Sequence, residues 1–532
     1  KVAAEVAFGA CVAGARSFCA MKHVGLNVAA DPLFTASYTG VNAGMVILVA
    51  DDPGMHSSQN EQDSRHYAMG SKTMMLEPSD SAECLDYAKR AFDLSEKFDT
   101  PVILRLTTRV AHSRSVAKLS ERVDNGLKAY TKNPQKYVMV PANAKVKHVV
   151  VEQRLLDQAE WAESCELNKV EMNDTKIGII TAGIAYQYAK EVFGDEVSFL
   201  KLGLVNPLPD QLLIDFASNY DEVYVIEELD GIIEGRCKAL GLNVKGKEIF
   251  GCIGELSQSI IAEKLKGIVN KVKSFDEDVP VRPPVMCAGC PHRAMYYGIN
   301  KAIDELGLKT SDVIFASDIG CYTLGINPPY NAADYLLSMG SSVGDGCGFS
   351  VSTDQKVASF IGDSTFFHSG LSPLVNAVHN KNKFVLTILD NRITAMTGGQ
   401  PNPGIPVDVM GDEAPAVSIE DIVEAIGVKF MKIVNPHNIK KTVDIYKEAL
   451  EYDGVAVVIA RYPCTLIKGQ KKKAPMVIKD NCVKCLTCVK TLACPAISYL
   501  NDEVVVDEAL CKSCTVCIQV CPNKAIGVKK GD

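Results

Sequence analysis

The chain has 532 residues, a net charge of −8 and an apolar content of 47%. A length of this order gives roughly three to five domains, each with ample core. The acidic balance without an extended basic stripe argues against nucleic acid as a partner, and no run is long and apolar enough for a membrane span.

The 19 cysteines argue against a disulfide framework and for metal clusters in a reducing cytoplasm. Cys11, Cys19, Cys84, Cys165, Cys237, Cys252 and Cys347 are scattered and read as small buried apolar residues without function. The other twelve fall into groups along the second half of the chain.

The start of the chain, Val2–Ala15, is apolar but broken by Glu5, and reads as a buried helix rather than a signal peptide. Lys1 falls inside that helix with no cap before it, so an N-terminal segment is expected to be missing. Residues 1–115 alternate apolar strands (Met45–Ala50, Val102–Arg105) with a helix over Ser81–Phe98, the pattern of one α/β layer domain. Two polar stretches follow apolar runs, Met21–Asn27 and Asp51–Asp63, and loops at strand ends are where sites form. Residues 116–175 read as a linker plus a packing helix over Glu152–Leu167. Residues 176–275 form a second α/β unit, Ile177–Gly183, Tyr186–Phe193, Val197–Leu204 and Val223–Glu228, in which Glu227 and Glu228 read as ordinary strand-end acids.

Residues 280–467 begin at Pro280 and Pro283-Pro284 and carry Cys287-Ala-Gly-Cys290-Pro-His292, then Asp318-Ile-Gly-Cys321-Tyr322. On spacing alone, a zinc knuckle and a set of unligated thiols are both open readings. The centre of the segment is Val357–Ile361, Gly362-Asp363-Ser364, a helical run Leu371–Asn380, and Phe384–Leu389 followed by Asp390-Asn391. Two parallel strands with one crossover helix bring Asp363 and Asn391 to the carboxyl edge of the sheet, where open α/β folds bind ligands. A carboxylate, an amide oxygen and the Ile393 carbonyl are hard ligands suited to Mg²⁺, and the Gly362 turn admits a diphosphate. Ser364, Thr365 and His368 stand where they could donate to phosphate. For His368 a neutral packing role is equally open.

A Lys-rich hinge, Lys468–Lys473, leads to residues 475–532. Cys482-x2-Cys485-x2-Cys488 with Cys494-Pro495, and Cys511-x2-Cys514-x2-Cys517-x3-Cys521-Pro522, have the spacing of a two-[4Fe-4S] ferredoxin module. In such modules the fourth cysteine of each run ligates the other cluster, giving Cys482, Cys485, Cys488 and Cys521 for one and Cys511, Cys514, Cys517 and Cys494 for the other. Five residues rather than three separate Cys488 from Cys494, a departure in the first run.

The Gly-Asp…Asn pattern resembles the diphosphate-binding motif of thiamine-diphosphate enzymes. Met21–Pro32, Asp51–Asp63 and the Thr397-Gly-Gly-Gln400 loop are similar to segments of 2-oxoacid:ferredoxin oxidoreductases, in the branch acting on aryl 2-oxoacids. That resemblance implies an α/β chain of several doubly wound thiamine-diphosphate-enzyme domains plus a small C-terminal two-cluster ferredoxin-like α+β domain. Residues 1–115 would grip the aminopyrimidine, 176–275 would be a transketolase C-terminal-like scaffold, and 280–467 would hold the diphosphate and Mg²⁺ with Thr397, Gly398 and Gln400 closing over them.

The resemblance also places a proximal [4Fe-4S] cluster on Cys287, Cys290, Cys321 and Cys464, with Tyr322 beside the cofactor. It places the activating glutamate immediately before Lys1. Lys22, His23, Ser57 and Ser58 become candidate contacts to the substrate carboxylate or the cofactor, with helix capping and loop satisfaction as the equal alternative. The implied reaction is oxidative decarboxylation of an indolepyruvate-type 2-oxoacid to acyl-CoA, with electrons passed singly to ferredoxin. The implied assembly is α₂β₂ with a small beta subunit. A different 2-oxoacid range, and an electron-transfer subunit with an inactive thiamine site, are the competing readings.

Overall fold

The computed structural model describes residues 1–269, 283–467, 469 and 474–529. The boundary expected at Pro280 and, Gly469 apart, the Lys468–Lys473 hinge lie outside the described residues. The chain divides into two compact units, Lys1–Asp276 and Glu277–Asp532.

The first unit contains two five-stranded sheets. One runs Ser17–Lys22, Met45–Asp51, Val102–Thr107, Met74–Leu76, all parallel, with Leu204–Asn206 added antiparallel at its edge. The edge strand comes from the 176–275 segment and so ties the two sheets together. The other orders Val244–Lys245, Glu222–Ile226, Ile177–Ala182, Ser198–Leu202 and Lys169–Glu171, the last antiparallel.

The Ser81–Phe98 helix forms over the expected span for local reasons. Asp80 accepts from the Glu83 N–H at its start, and Asp99 ends it with a left-handed φ of 50°. Its buried face, Tyr87, Ala91, Leu94, Ser95 and Phe98, follows helical spacing onto the first sheet.

Several expectations are corrected. The helix Val2–Ala13 buries only the Ala4, Ala7 and Cys11 face, while Val2 and Val6 are exposed. Met21–Asn27 is not a loop: Lys22 ends a strand and His23 opens the helix His23–Val28. The packing helix spans Pro141–Ala162, because proline at its first position starts it well before Glu152. Cys252 is exposed and Cys84 half-buried, unlike the other five scattered cysteines.

Glu227 and Glu228 are not ordinary surface acids either. Arg105, in the middle of a strand, pairs with Asp51 at 2.7 Å and Glu77 at 2.6 Å. Arg65 pairs with Asp63 at 2.6 Å and with Glu227, and donates to the Glu228 and Asp230 carbonyls. Two buried guanidiniums thus face four buried carboxylates drawn from both sheets. Glu228, buried beside this acidic excess, accepts from the Leu256 N–H, and burial pushes its carboxyl up to about 7.

The second unit is built on a five-stranded, wholly parallel sheet ordered Val313–Ala316, Lys356–Gly362, Phe384–Asp390, Val455–Arg461, Phe430–Val434. Its central strands are buried along nearly their whole length, as expected of a parallel sheet covered on both faces. At the C-terminus Met476–Ile478 pairs antiparallel with Ile526–Val528, and Ile497–Leu500 forms a hairpin with Glu503–Val506. Asn501 and Asp502 turn that hairpin with both φ values positive, the geometry of a tight two-residue loop.

Glu228 makes a prediction with a definite sign. Its folded value, about 7, exceeds its ordinary 4.5, so the protonated form stabilises the fold below pH 4.5 and that contribution is lost as pH rises through 7. Glu228→Gln should therefore stabilise the chain at pH 8 relative to pH 5, against wild type, by up to roughly 3 kcal/mol. Thermal unfolding midpoints of both proteins at the two pH values check this; equal differences at both would refute it.

Candidate functional site

The register of the second unit pairs Gly362 with Leu389, so Asp363 and the Asp390-Asn391 pair leave the sheet side by side at its carboxyl edge. Asp363 is buried; its Oδ1 accepts from the Ser364 N–H at 2.8 Å and its Oδ2 from the Arg392 N–H at 2.9 Å. Burial, reinforced by the Asp390 charge, pushes the Asp363 carboxyl up to about 6. Asn391 is buried, with Oδ1 accepting from the Ile393 N–H at 3.1 Å and Nδ2 facing His292 Nε2 at 3.2 Å. Arg392, between them, holds a left-handed φ of 63°.

Gly362 is tightly packed: a Cβ there would stand 3.0 Å from the Tyr322 ring, which would have to shift to admit it. Its N–H donates to the Tyr322 hydroxyl at 2.9 Å. Beyond it, Ser364 and buried Thr365 lead into a π-helical turn, Phe366–Gly370, a distortion common at functional sites. His368 lies exposed on that turn with Nδ1 on Ser369 Oγ at 2.6 Å. Thr397 and Gln400 bond each other at 2.7 Å across Gly398 in an exposed turn, and not the residues around Asp363. Asn402, missed in the sequence, is buried against Asp363. Nothing local to Pro401-Asn402-Pro403 signals this; the loop is held near the edge by Arg392, which donates to the Gly404 carbonyl at 2.7 Å.

Cys287, Cys290, Cys321 and Cys464 gather beside this edge. Burial raises Cys321, and the charges of Cys464 and Cys287 raise it further. Cys464 is raised by burial, then by Cys287 and Asp363. Cys290 is pushed up to about 12 by burial, with Cys287 adding. The Cys464 N–H donates to the Asn391 carbonyl at 3.0 Å, so the two groups are tied through their main chains.

The C-terminal cysteines sort into two cavities. Cys482, Cys485, Cys488 and Cys521 line one; Cys494, Cys511, Cys514 and Cys517 line the other, together with Cys290 and Arg293. Cys517 is pushed up to about 12 by burial and by Cys514, Cys494 and Cys511, whereas Cys488 responds to burial and to Cys521, Cys482 and Cys485. The wider spacing before Cys494 leaves this grouping intact. Among the described residues no three His, Cys, Asp or Glu side chains converge as they stand at single-ion distance.

In the first unit Asp52 organises the polar edge. It accepts from the Ser57 N–H at 2.9 Å, Ser58 Oγ at 2.6 Å and Thr108 Oγ1 at 2.6 Å. Against the burial that would raise it, these bonds and Lys22 hold its carboxyl far below the usual range. Lys22 Nζ reaches the Ser57 carbonyl at 2.7 Å, so Lys22, Ser57 and Ser58 do come together. His23 is buried, and neither ring nitrogen has a protein partner.

Residues 2–169 match the family model described as pyruvate flavodoxin/ferredoxin oxidoreductase, thiamine-diphosphate-binding. Residues 318–460 match the C-terminal binding domain of thiamine pyrophosphate enzymes, and residues 504–527 a 4Fe-4S binding domain. The chain is 49% identical to indolepyruvate oxidoreductase subunit IorA of Methanothermobacter marburgensis, over 99% of this chain and 88% of that one. To the subunit of the same name from Archaeoglobus fulgidus it is 42% identical over 100% and 89%, and to that of Pyrococcus abyssi 38% over 100% and 89%. Among the described residues no helix is long and apolar enough to cross a membrane. With identity of this degree along nearly the whole of both chains, the chain belongs to the IorA family of 2-oxoacid oxidoreductases, enzymes with thiamine-diphosphate and iron–sulfur domains.

Proposed function

We propose that the chain is the alpha subunit of an enzyme that oxidatively decarboxylates an aryl 2-oxoacid of the indolepyruvate type, yields acyl-CoA and passes electrons one at a time to ferredoxin. The observation that carries this reading is the main-chain hydrogen bond from the Cys464 N–H to the Asn391 carbonyl, which joins the Asp363–Asn391 edge to the Cys287, Cys290, Cys321, Cys464 group. An edge that served non-oxidative decarboxylation alone would need no cysteines beside it.

The residues suit the groups assigned to them. Asp363 is a buried carboxylate whose raised value a divalent cation would reverse, and Asn391 Oδ1 with the Ile393 carbonyl completes a hard oxygen set for Mg²⁺. Gly362, Ser364 and Thr365 sit at the turn assigned to the diphosphate. Thiamine diphosphate, when bound, supplies the nucleophile and the electron sink for loss of CO₂. Buried thiols with raised values are poor ligands until iron deprotonates them, as a coordinated metal does. The Cys287, Cys290, Cys321, Cys464 group is assigned a proximal [4Fe-4S] cluster, and the two C-terminal groups one each.

The cavities favour an order for electrons. Cys290 lines the Cys494, Cys511, Cys514, Cys517 cavity and not the other, so that cluster is read as the relay. The Cys482, Cys485, Cys488, Cys521 cluster, with Cys485 exposed, is read as the exit to ferredoxin. Lys22 and His23 are assigned to the substrate carboxylate or the cofactor, His23 because its buried ring offers two unpartnered nitrogens. Ser57 and Ser58 hold Lys22 and Asp52 in place for that role. The relatives are named as subunits, which supports a partner subunit; a smaller beta chain in an α₂β₂ assembly is proposed.

The central test is anaerobic. The enzyme with its beta partner, mixed with indolepyruvate and coenzyme A, should bleach its cluster absorbance only when thiamine diphosphate and Mg²⁺ are present, and faster than with pyruvate. Clusters that dithionite reduces but no 2-oxoacid does would defeat the catalytic reading. Cluster grouping is tested by iron analysis. Cys485→Ala and Cys521→Ala should each remove about four irons, and together no more, whereas Cys485→Ala with Cys494→Ala should remove about eight. Equal losses from both double variants would break the assignment.

A further inference from the structure

His292 follows the Cys287-x2-Cys290 pair, is 3% exposed, and has a role so far unassigned. It lies in the first turn of the helix Pro291–Glu305, with its ring edge-on to Tyr322 at 5.9 Å and 83°. Its Nε2 faces Asn391 Nδ2 at 3.2 Å. A carboxamide is nearly symmetric in shape, and its two ends differ only in what they can bond: the nitrogen donates, the oxygen accepts. Which end of Asn391 points where is therefore decided by its partners. On one side the Ile393 N–H donates to Oδ1 at 3.1 Å. On the other, Nδ2 can only donate, and His292 Nε2 is the ring atom placed to accept from it.

We propose that His292 is a positioning residue, holding the Asn391 amide so that its oxygen and not its nitrogen faces the cation. This rests on the reading of Asp363 and Asn391 as cation ligands. With an apolar side chain at 292 only the Ile393 N–H is left to distinguish the two ends of the amide, and a flipped amide would turn N–H groups toward a positive ion. The anchor is rigid. Tyr322, against which the ring packs, accepts from the Gly362 N–H, and the Asn391 carbonyl is itself held by the Cys464 N–H. The orienting residue thus follows Cys290 in the chain, and the segments that hold it and the ligand carry Cys321 and Cys464.

Outer partners of metal ligands change metal affinity by about 10- to 100-fold when removed. The test is Mn²⁺ binding, read by electron paramagnetic resonance on the oxidised, thiamine-diphosphate-saturated holoenzyme, in wild type, His292→Leu, His292→Gln and Asn391→Ala. His292→Leu should weaken Mn²⁺ binding by about 10-fold or more at unchanged iron content, and His292→Gln, whose side-chain oxygen can still accept, should restore most of it. Wild-type affinity in His292→Leu, or equal loss in the Leu and Gln variants, overturns the proposal, the second because packing and not the acceptor would then be responsible. Should His292→Leu lose iron, His292→Phe, which keeps a ring against Tyr322, is read in its place. If Asn391→Ala binds Mn²⁺ like wild type, the ligand reading itself fails, an outcome distinct from any failure at His292.

Discussion

The parallel pairing of Lys356–Gly362 with Phe384–Asp390 is the constraint on which the rest of the site depends. Both strands are buried on both faces, so a slip of one residue would exchange the two packed faces. The register that results, Gly362 opposite Leu389, sends Asp363 and Asn391 out of the sheet together. Arg392 then adopts a left-handed φ and returns its N–H to Asp363, closing the edge. Tyr322 and Cys464 bond this edge through main-chain groups, at Gly362 and Asn391. A change at any of these positions is therefore felt at the others.

The first unit is organised by charge as much as by apolar packing. Arg105 and Arg65, both almost wholly buried, carry the attraction between strand ends that would otherwise repel as clustered acids. Burying such pairs costs desolvation that their attraction only partly returns, so their value lies more in fixing one arrangement than in net stability. What they fix is the Asp51–Arg65 loop. Asp51 holds the Ser64 N–H at 3.0 Å and also its hydroxyl, while Asp52 holds Ser57 and Ser58. The loop is thereby kept near Lys22 without being built from regular structure.

Continuous apolar runs made the strands legible and helical spacing the Ser81–Phe98 helix, because the pattern of a segment reflects which of its faces are buried. The chain direction after Gly362 and Leu389 was legible for the same reason. The Val2–Ala13 helix was misjudged because alanine-rich composition does not say how many faces are covered. Glu227 and Glu228 were misjudged because their partners Arg65 and Leu256 are remote in sequence. No local pattern distinguishes a buried ion pair from two surface charges until the strands are assembled.

The sequence by itself determined how the eight C-terminal cysteines group and where the strand–turn–strand around Asp363 lies, since cysteine spacing and apolar runs are local properties. Even the exchange of Cys494 and Cys521 between the two C-terminal groups was contained in that spacing, despite the longer run before Cys494. The tertiary structure decided what lies beside what: Cys464 against Asn391, His292 behind the amide, Asn402 against Asp363, and Cys290 on the wall of one C-terminal cavity and not the other. These contacts join residues up to hundreds of positions apart. They are set by strand order and helix packing, which depend on the whole sheet being formed and not on any stretch of chain within it.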